Sequence, residues 1–199
     1  DDKQKKLYKN HRVTNLNKTL KEVNYVVLTP GVSLIKNKNL RQYEKKIITD
    51  IDLFFLSNRK LKSIVVTGTN GKSTTCKLLE HLLIKNKFKC QLGGNIGNPI
   101  LNLKNTNKNY VIIEASSFQL SHSKFIKPDY AFFLNFTNDH IDWHGSKKEY
   151  FKAKLKIFEL QNKNQYAFIN RLLKVSVRNR NFLSKSIFPK IKNYRKFKL

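Results

Sequence analysis

Residues 63–75 read SIVVTGTNGKSTT, a stretch whose side chains and spacing suit it to hold a phosphate. Gly68 and Gly71 allow a tight turn with converging backbone N–H groups, Lys72 adds a mobile positive charge, and Ser73 brings a hydroxyl suited to a magnesium ion. The β-branched run Ile64-Val65-Val66 before the turn predicts a strand. Leu78, Leu79, Leu82 and Leu83 after it recur at helical spacing and predict a helix over 72–87. A loop between a strand and a helix N-terminus is where backbone amides and the helix dipole favour an anion. Val66 stands where the general phosphate-loop pattern has its first glycine, so the match rests on Gly68–Thr74, that is Gly68, Thr69, Asn70, Gly71, Lys72, Ser73 and Thr74. The expectation is a nucleotide site.

Two further places carry oxygen and nitrogen donors. Glu114 ends the apolar run Tyr110–Ile113, and a carboxylate there, across from a phosphate loop, suits a second Mg²⁺ ligand beside Ser73. His140 lies in Asn135-Phe136-Thr137-Asn138-Asp139-His140-Ile141-Asp142, and the neighbouring Asp139 and Asp142 make it a metal or substrate ligand. His144 and the histidines at 11, 81 and 122 lack such company and read as surface residues. No G-x-S-x-G turn surrounds Ser116 or Ser117, which argues against an acyl-enzyme hydrolase, and the two cysteines lack zinc-ligand spacing.

The elements that position these groups alternate. Short apolar strands are expected at 25–28, 47–48, 63–67, 90–92, 110–113, 131–134 and 166–169. Helices are expected at 50–56, 72–87, from Ser116 with a serine cap, and from Ser146 to about Leu160; 36–46 reads as a charged surface helix or loop. Strands written as continuous apolar runs between helices predict an α/β fold, a mostly parallel sheet with helices on both faces. Ligands of such sheets gather at the C-terminal strand ends. Gly68–Ser73, Gly93–Gly97, Glu114 and Asn135–His140 all follow strands and should meet along one edge.

Composition narrows the class. A hydrophobic content of 40% and an aromatic content of 12% describe a folded chain, and no apolar run is long enough for a membrane span, so no membrane association is expected. Two cysteines fit a cytoplasmic location. The net charge of +27 raises non-specific nucleic-acid binding as an alternative, but lysines scattered from end to end form no compact basic motif. Nor does any Asp or Glu occur after residue 159. With no methionine even at position 1, the chain reads as an internal piece of a longer protein.

Taken together, Thr67–Thr74 resembles the phosphate loop of the Mur ligases, ATP-dependent amide-forming enzymes of peptidoglycan precursor synthesis. Thr29-Pro30-Gly31-Val32, Gly93-Gly94-Asn95-Ile96-Gly97, Glu114-Ala115-Ser116-Ser117-Phe118-Gln119-Leu120 and Asn138-Asp139-His140-Ile141-Asp142 agree with it in order and spacing, most closely with the D-glutamate-adding members. The resemblance implies a phosphate-loop-containing Mur ligase central domain over 31–199, with the tail of a UDP-binding domain at 1–30 and the C-terminal amino-acid-binding domain absent. It implies ATP held by Lys72 and the 68–74 backbone, one Mg²⁺ on Ser73 and Glu114, and a second on His140 and a carbamylated Lys154, so that Lys72, His140 and Lys154 are the catalytic set. Asn95, Ser116 and Gln119 would touch UDP-N-acetylmuramoyl-L-alanine. The carboxylate of that substrate would be phosphorylated by ATP and the acyl phosphate taken by D-glutamate. A monomer without a specific nucleic-acid partner, inactive as this piece alone, is the corresponding expectation. Ala115 replaces a larger aliphatic and Trp143 a usual arginine.

Overall fold

The computed structural model describes residues 15–58, 61–103 and 110–190. A first helix, α1 (Leu16–Glu22), is capped by the Asn15 side chain, which accepts from Lys18 N. Next come β1 (Val26–Val27), a one-turn helix α2 (Lys38–Arg41) and β2 (Ile47–Ile48). β1 and β2 pair in parallel, Val26 opposite Ile47, as a small separate sheet. The domain boundary expected after residue 30 falls between these two paired strands.

The main sheet has six strands: β3 (Lys62–Thr67), β4 (Cys90–Gly94), β5 (Tyr110–Glu114), β6 (Tyr130–Phe133), β7 (Tyr166–Ile169) and β8 (Lys185–Ile187). Their order is β4-β5-β3-β6-β7-β8. Every pairing in it is parallel, so each crossover returns the chain over a face of the sheet. The strand bearing the phosphate loop, β3, is central, between β5 and β6.

Helices cover both faces, as the alternating pattern requires. On one face α3 (Asp50–Ser57), α5 (Ser117–His122) and α7 (Lys147–Glu159) bury Ile51, Phe54, Leu120, Leu155, Ile157 and Phe158 against Val65, Val111, Ile113, Ala131, Phe133 and Ile169. On the other, α4 (Lys72–Lys85) sets Cys76, Leu79 and Leu83 against Ile64, Val66 and Ile112, leaving Leu78 and Leu82 exposed. α4 stops at Lys85, two residues short of expectation, because Asn86 turns its side-chain amide back to Leu82 O and Lys87 takes a left-handed φ of 62°. β3 and β5 are buried almost throughout. β6 and β7 instead alternate, with Tyr130, Phe132, Tyr166 and Phe168 half-buried on the α4 side. Those rings stack across the strands, Phe132 on Phe168 at 4.5 Å and Tyr130 on Tyr166 at 5.6 Å.

Two carboxylates, Asp52 buried and Asp129 half-buried, lock the layers. Asp52 closes a capping box with Thr49 and accepts from Ser123 Oγ (2.6 Å), Lys124 N (2.9 Å) and Phe125 N (2.8 Å), tying α3 to the end of α5. Asp129 accepts from both Ser63 N and Ser63 Oγ, which fixes the start of β3 beside β6. Among the described residues no helix is long and apolar enough to cross a membrane.

Candidate functional site

β3 ends at Thr67, and the chain turns through Gly68–Gly71 into α4. Gly71 sits at the helix N-cap with φ 79°, a left-handed value that costs glycine nothing. The first turn of a helix leaves its N–H groups without intrahelical partners. Those of Gly71, Lys72, Ser73 and Thr74 have none elsewhere among the described residues. Ser73 and Thr74 are exposed there. Lys72 folds its ammonium onto the loop, 3.0 Å from Gly68 O and 2.8 Å from Thr69 O. A positive charge, four free amides and a helix dipole thus face the same space, an arrangement suited to a phosphate chain.

The expected convergence at the strand ends is present. β4 runs into Gly94 (φ 103°), where a Cβ would collide with the Glu114 carbonyl oxygen. That close approach brings Asn95 onto β5: Asn95 N donates to Glu114 O and Asn95 Nδ2 to Glu114 Oε1, both at 2.9 Å. Glu114 is 2% exposed, and its Oε2 is buried with no hydrogen-bond partner. A buried carboxylate oxygen without a donor is costly unless a cation or water completes it. Among the described residues no three His, Cys, Asp or Glu side chains cluster as a metal cage. This donor set fits Mg²⁺, which rests on one or two protein oxygens and takes the remainder from water and phosphate.

From the other side, α7 places Lys154 under the loop. Its Nζ donates to Gly68 O at 2.8 Å, and it lies 4.6 Å from the Tyr150 ring centre. Burial, then the neighbouring Lys72 charge, lowers Lys154 from the usual lysine range to about 7. The Tyr150 hydroxyl lies 3.2 Å from Thr69 Oγ1.

His140 is exposed and bonded through Nε2 to Asp139 at 3.3 Å. It holds φ 50°, unusual for a residue with a Cβ, where the chain enters the short helix α6 (Ile141–His144). Its ring lies 4.6 Å from that of Phe118 on α5.

Ser116 and Gln119 form the cap of α5. Gln119 N donates to Ser116 Oγ, Ser116 N donates to Gln119 Oε1, and Gln119 Nε2 reaches Asp50 at 3.2 Å. Both are buried and engaged in holding the helix, whereas Asn95 is exposed.

Two histidines read as surface residues are not. His144 is 4% exposed, with Nε2 3.0 Å from Ser117 Oγ and its ring parallel to Phe118. His122 is half-buried beside Trp143, its Nε2 enclosed without a partner. Left-handed backbone at His140 and Gly145 turns α6 down onto α5, where Phe118, Trp143 and Tyr150 pack around the His144 ring and Trp143 also lies against His122. Burial lowers each histidine to about 4; nearby lysines assist, Lys154 at His144 and Lys156 at His122. His81 is exposed as expected, and His11 lies outside the described residues. Asn135 and Tyr150 hold the loop directly; the sequence marks Asn135 only as the start of the 135–140 loop and gives Tyr150 no role. The signal for Asn135 was its place just after β6, the strand beside β3.

Comparison with known proteins agrees with this geometry. The family described as Mur ligase middle domain matches residues 66–195. The UDP-N-acetylmuramoylalanine--D-glutamate ligase of Rickettsia prowazekii (strain Madrid E) is 41% identical over 169 residues, covering 83% of this chain and 38% of that protein. The protein of the same name from Wolbachia pipientis wMel is 43% identical over 140 residues, 68% of this chain and 27% of that one. The chain therefore spans well under half the length of these relatives. Among solved structures, MurF ligase from Thermotoga maritima in complex with ADP superposes with a TM-score of 0.53 at 20% identity, over 88% of this chain and 49% of that one. MurF from Acinetobacter baumannii gives 0.54 at 19% identity, over 74% and 34%. A central β3 that delivers a glycine–lysine loop into α4, matched over most of its length by the family's own pattern, places this chain in the Mur ligase middle-domain family.

Proposed function

We propose that this chain carries the phosphate- and metal-handling part of an ATP-dependent ligase that joins D-glutamate to UDP-N-acetylmuramoyl-L-alanine in peptidoglycan precursor synthesis. The observation that carries the reading is the pairing of a cationic amide cradle, Lys72 with the first turn of α4, and a buried Glu114 oxygen that has no partner. The names of the Rickettsia and Wolbachia relatives support the choice of amino acid and acceptor.

In this reading the α4 amides and Lys72 hold the β- and γ-phosphates and neutralise charge as the terminal phosphoryl group passes to the substrate carboxylate. Ser73 and Glu114 would hold Mg²⁺, which when bound supplies Lewis-acid stabilisation of the phosphate oxygens. Lys154, neutral more readily than an ordinary lysine, is suited to take up CO₂ as a carbamate and become an oxygen ligand for a second ion with His140. Exposed Asn95 faces the acceptor substrate, while Ser116 and Gln119 shape that wall through the α5 cap. The division into a UDP-binding tail at 1–30 and a central domain from 31 belongs to the same proposal. So do a monomeric state and a cytoplasmic location. The adenine and D-glutamate contacts are assigned to polypeptide outside this chain, consistent with relatives of which it covers 38% or less.

Calorimetry of Mg²⁺-dependent ADP binding at moderate salt tests the reading. Binding that is lost in Lys72→Ala supports it. Binding unaffected by that change would mean that the +27 surface merely collects polyanions.

A further inference from the structure

We propose that Asn135 is a positioning residue: its carboxamide sets the shape of the phosphate loop and withdraws two loop amides from the anion cradle. The inference deepens, and rests on, the phosphate-loop reading above. Because β6 pairs beside β3, the residues that follow the two strands meet. Asn135 Oδ1 accepts from Thr69 N at 3.1 Å and from Asn70 N at 2.9 Å, while Nδ2 donates to Asn70 O at 2.9 Å. Thr69 N also reaches Asn135 O at 3.1 Å. One planar group thus answers two donors and one acceptor of the loop, which demands an acceptor and a donor on the same side chain; among short side chains only asparagine offers that pair in fixed geometry. The same bonds fix which end of the amide is oxygen.

A second contact closes the same seam. Thr137 N donates to Thr69 Oγ1 at 3.1 Å, so the segment after β6 grips the loop at two successive levels. Leu134 meanwhile backs the turn so closely that a Cβ on Gly68 would lie 3.1 Å from its Cβ. With Thr69 N and Asn70 N occupied, the consecutive run of N–H groups left for an anion at the helix entrance is that of Gly71, Lys72, Ser73 and Thr74. The cradle is therefore the C-terminal half of the loop, narrower than the whole of 68–74, and the N-terminal half is a strut built from the neighbouring strand.

The test uses the ¹⁵N-labelled full chain, its Asn135→Ala, Asn135→Asp and Lys72→Ala variants, and MgADP as the probe. Amide exchange at Thr69 and Asn70 should be slow in the unaltered chain and about tenfold faster or more in Asn135→Ala. Asn135→Asp, which keeps the acceptor, should restore that protection yet not the MgADP affinity, because it adds a negative charge beside the phosphates. MgADP should shift the resonances of Gly71–Thr74 while Thr69 and Asn70 stay protected, and its affinity should fall about tenfold in Asn135→Ala. Unchanged exchange in Asn135→Ala, or shifts at Thr69 and Asn70 as large as those at Gly71–Thr74, would overturn the proposal. If Asn135→Ala does not fold, the MgADP-induced shifts of the unaltered chain decide: shifts at Thr69 and Asn70 as large as those at Gly71–Thr74 would overturn the proposal, and shifts confined to Gly71–Thr74 would support it. An unaltered affinity in Lys72→Ala alongside the expected exchange pattern would sink the nucleotide reading alone and leave the hold of Asn135 on the loop standing.

Discussion

The Lys154 amine on α7 donates to the Gly68 carbonyl at 2.8 Å, so the residue that opens the phosphate loop is tied to a lysine 86 positions later in the chain. That lysine is 1% exposed and titrates near 7, which leaves a large neutral fraction at pH 8. A neutral amine is the form that reacts with CO₂. With ¹³C-bicarbonate at pH 8, a carbamate carbonyl resonance should appear in the ¹³C spectrum and be missing from Lys154→Met. A spectrum identical for the two proteins would remove Lys154 from the metal site.

Glu114 should behave as a metal ligand with one oxygen already committed. Asn95 satisfies Oε1, so Glu114→Gln can keep that bond while losing the charge at Oε2. The expected result is a loss of Mn²⁺ binding, followed by electron paramagnetic resonance in the presence of ADP, of about tenfold or more, with a thermal midpoint equal to or above that of the unaltered chain. Equal Mn²⁺ affinity in the two proteins would exclude this carboxylate.

Acid should loosen α6 from α5 through His144. Burial holds this imidazole at about 4 against an ordinary 6.5, so as pH falls the unfolded chain takes its proton first. Stability is complete above pH 6.5 and declines as pH drops from 6.5 toward 4, by up to about 3 kcal/mol for this group, with His122 adding in the same direction. The groups that face His144 are Lys154, His140 and His122, which disfavour its charge, and Asp142, which favours it. His144→Phe, which retains the ring against Phe118, should lessen the fall of the thermal midpoint between pH 6.5 and 4, leaving only the share of His122. An unchanged slope would assign acid sensitivity elsewhere.

Asp52 concentrates more structural bonds than any charge of the nucleotide site. It receives two backbone N–H groups and a hydroxyl from the segment after α5 and caps α3 with its other oxygen. Asp52→Ala orphans these donors and should cost about 3–5 kcal/mol, read by urea denaturation. A loss below 1 kcal/mol would mean that water replaces the carboxylate.

Five of the six strands of the main sheet are legible as short apolar runs separated by helical repeats, a local signal; β8, polar and exposed along its length, lies outside the strands expected from sequence. The loop at 68–74 and the meeting of Asn95 with Glu114 were legible for the same reason, since parallel strands send all their C-terminal ends to one edge. What stayed hidden depends on contacts between distant segments. The 135–140 segment is expected at the same edge as the loop, but that the Asn135 carboxamide holds Thr69 and Asn70 shows only once β6 is known to lie directly beside β3. His144 looks exposed until two left-handed residues fold α6 onto α5. The half-buried faces of Phe132 and Phe168 were hidden too, because an apolar run does not tell how far each side of the sheet is covered.

Those stacked rings on β6 and β7 bear on how molecules of this chain behave toward one another in bulk solution. Near them lie Leu172, 89% exposed, and Pro189, around an apolar hollow of about 520 Å³. Such a surface attracts its own kind at short range, while a net charge of +27 keeps copies apart over about 8 Å at physiological salt and much further in dilute buffer. Colloidal stability is therefore rented from low ionic strength. As salt rises the repulsive reach shrinks toward the dimensions of a side chain, and the osmotic second virial coefficient, read by static light scattering, should turn from positive to negative.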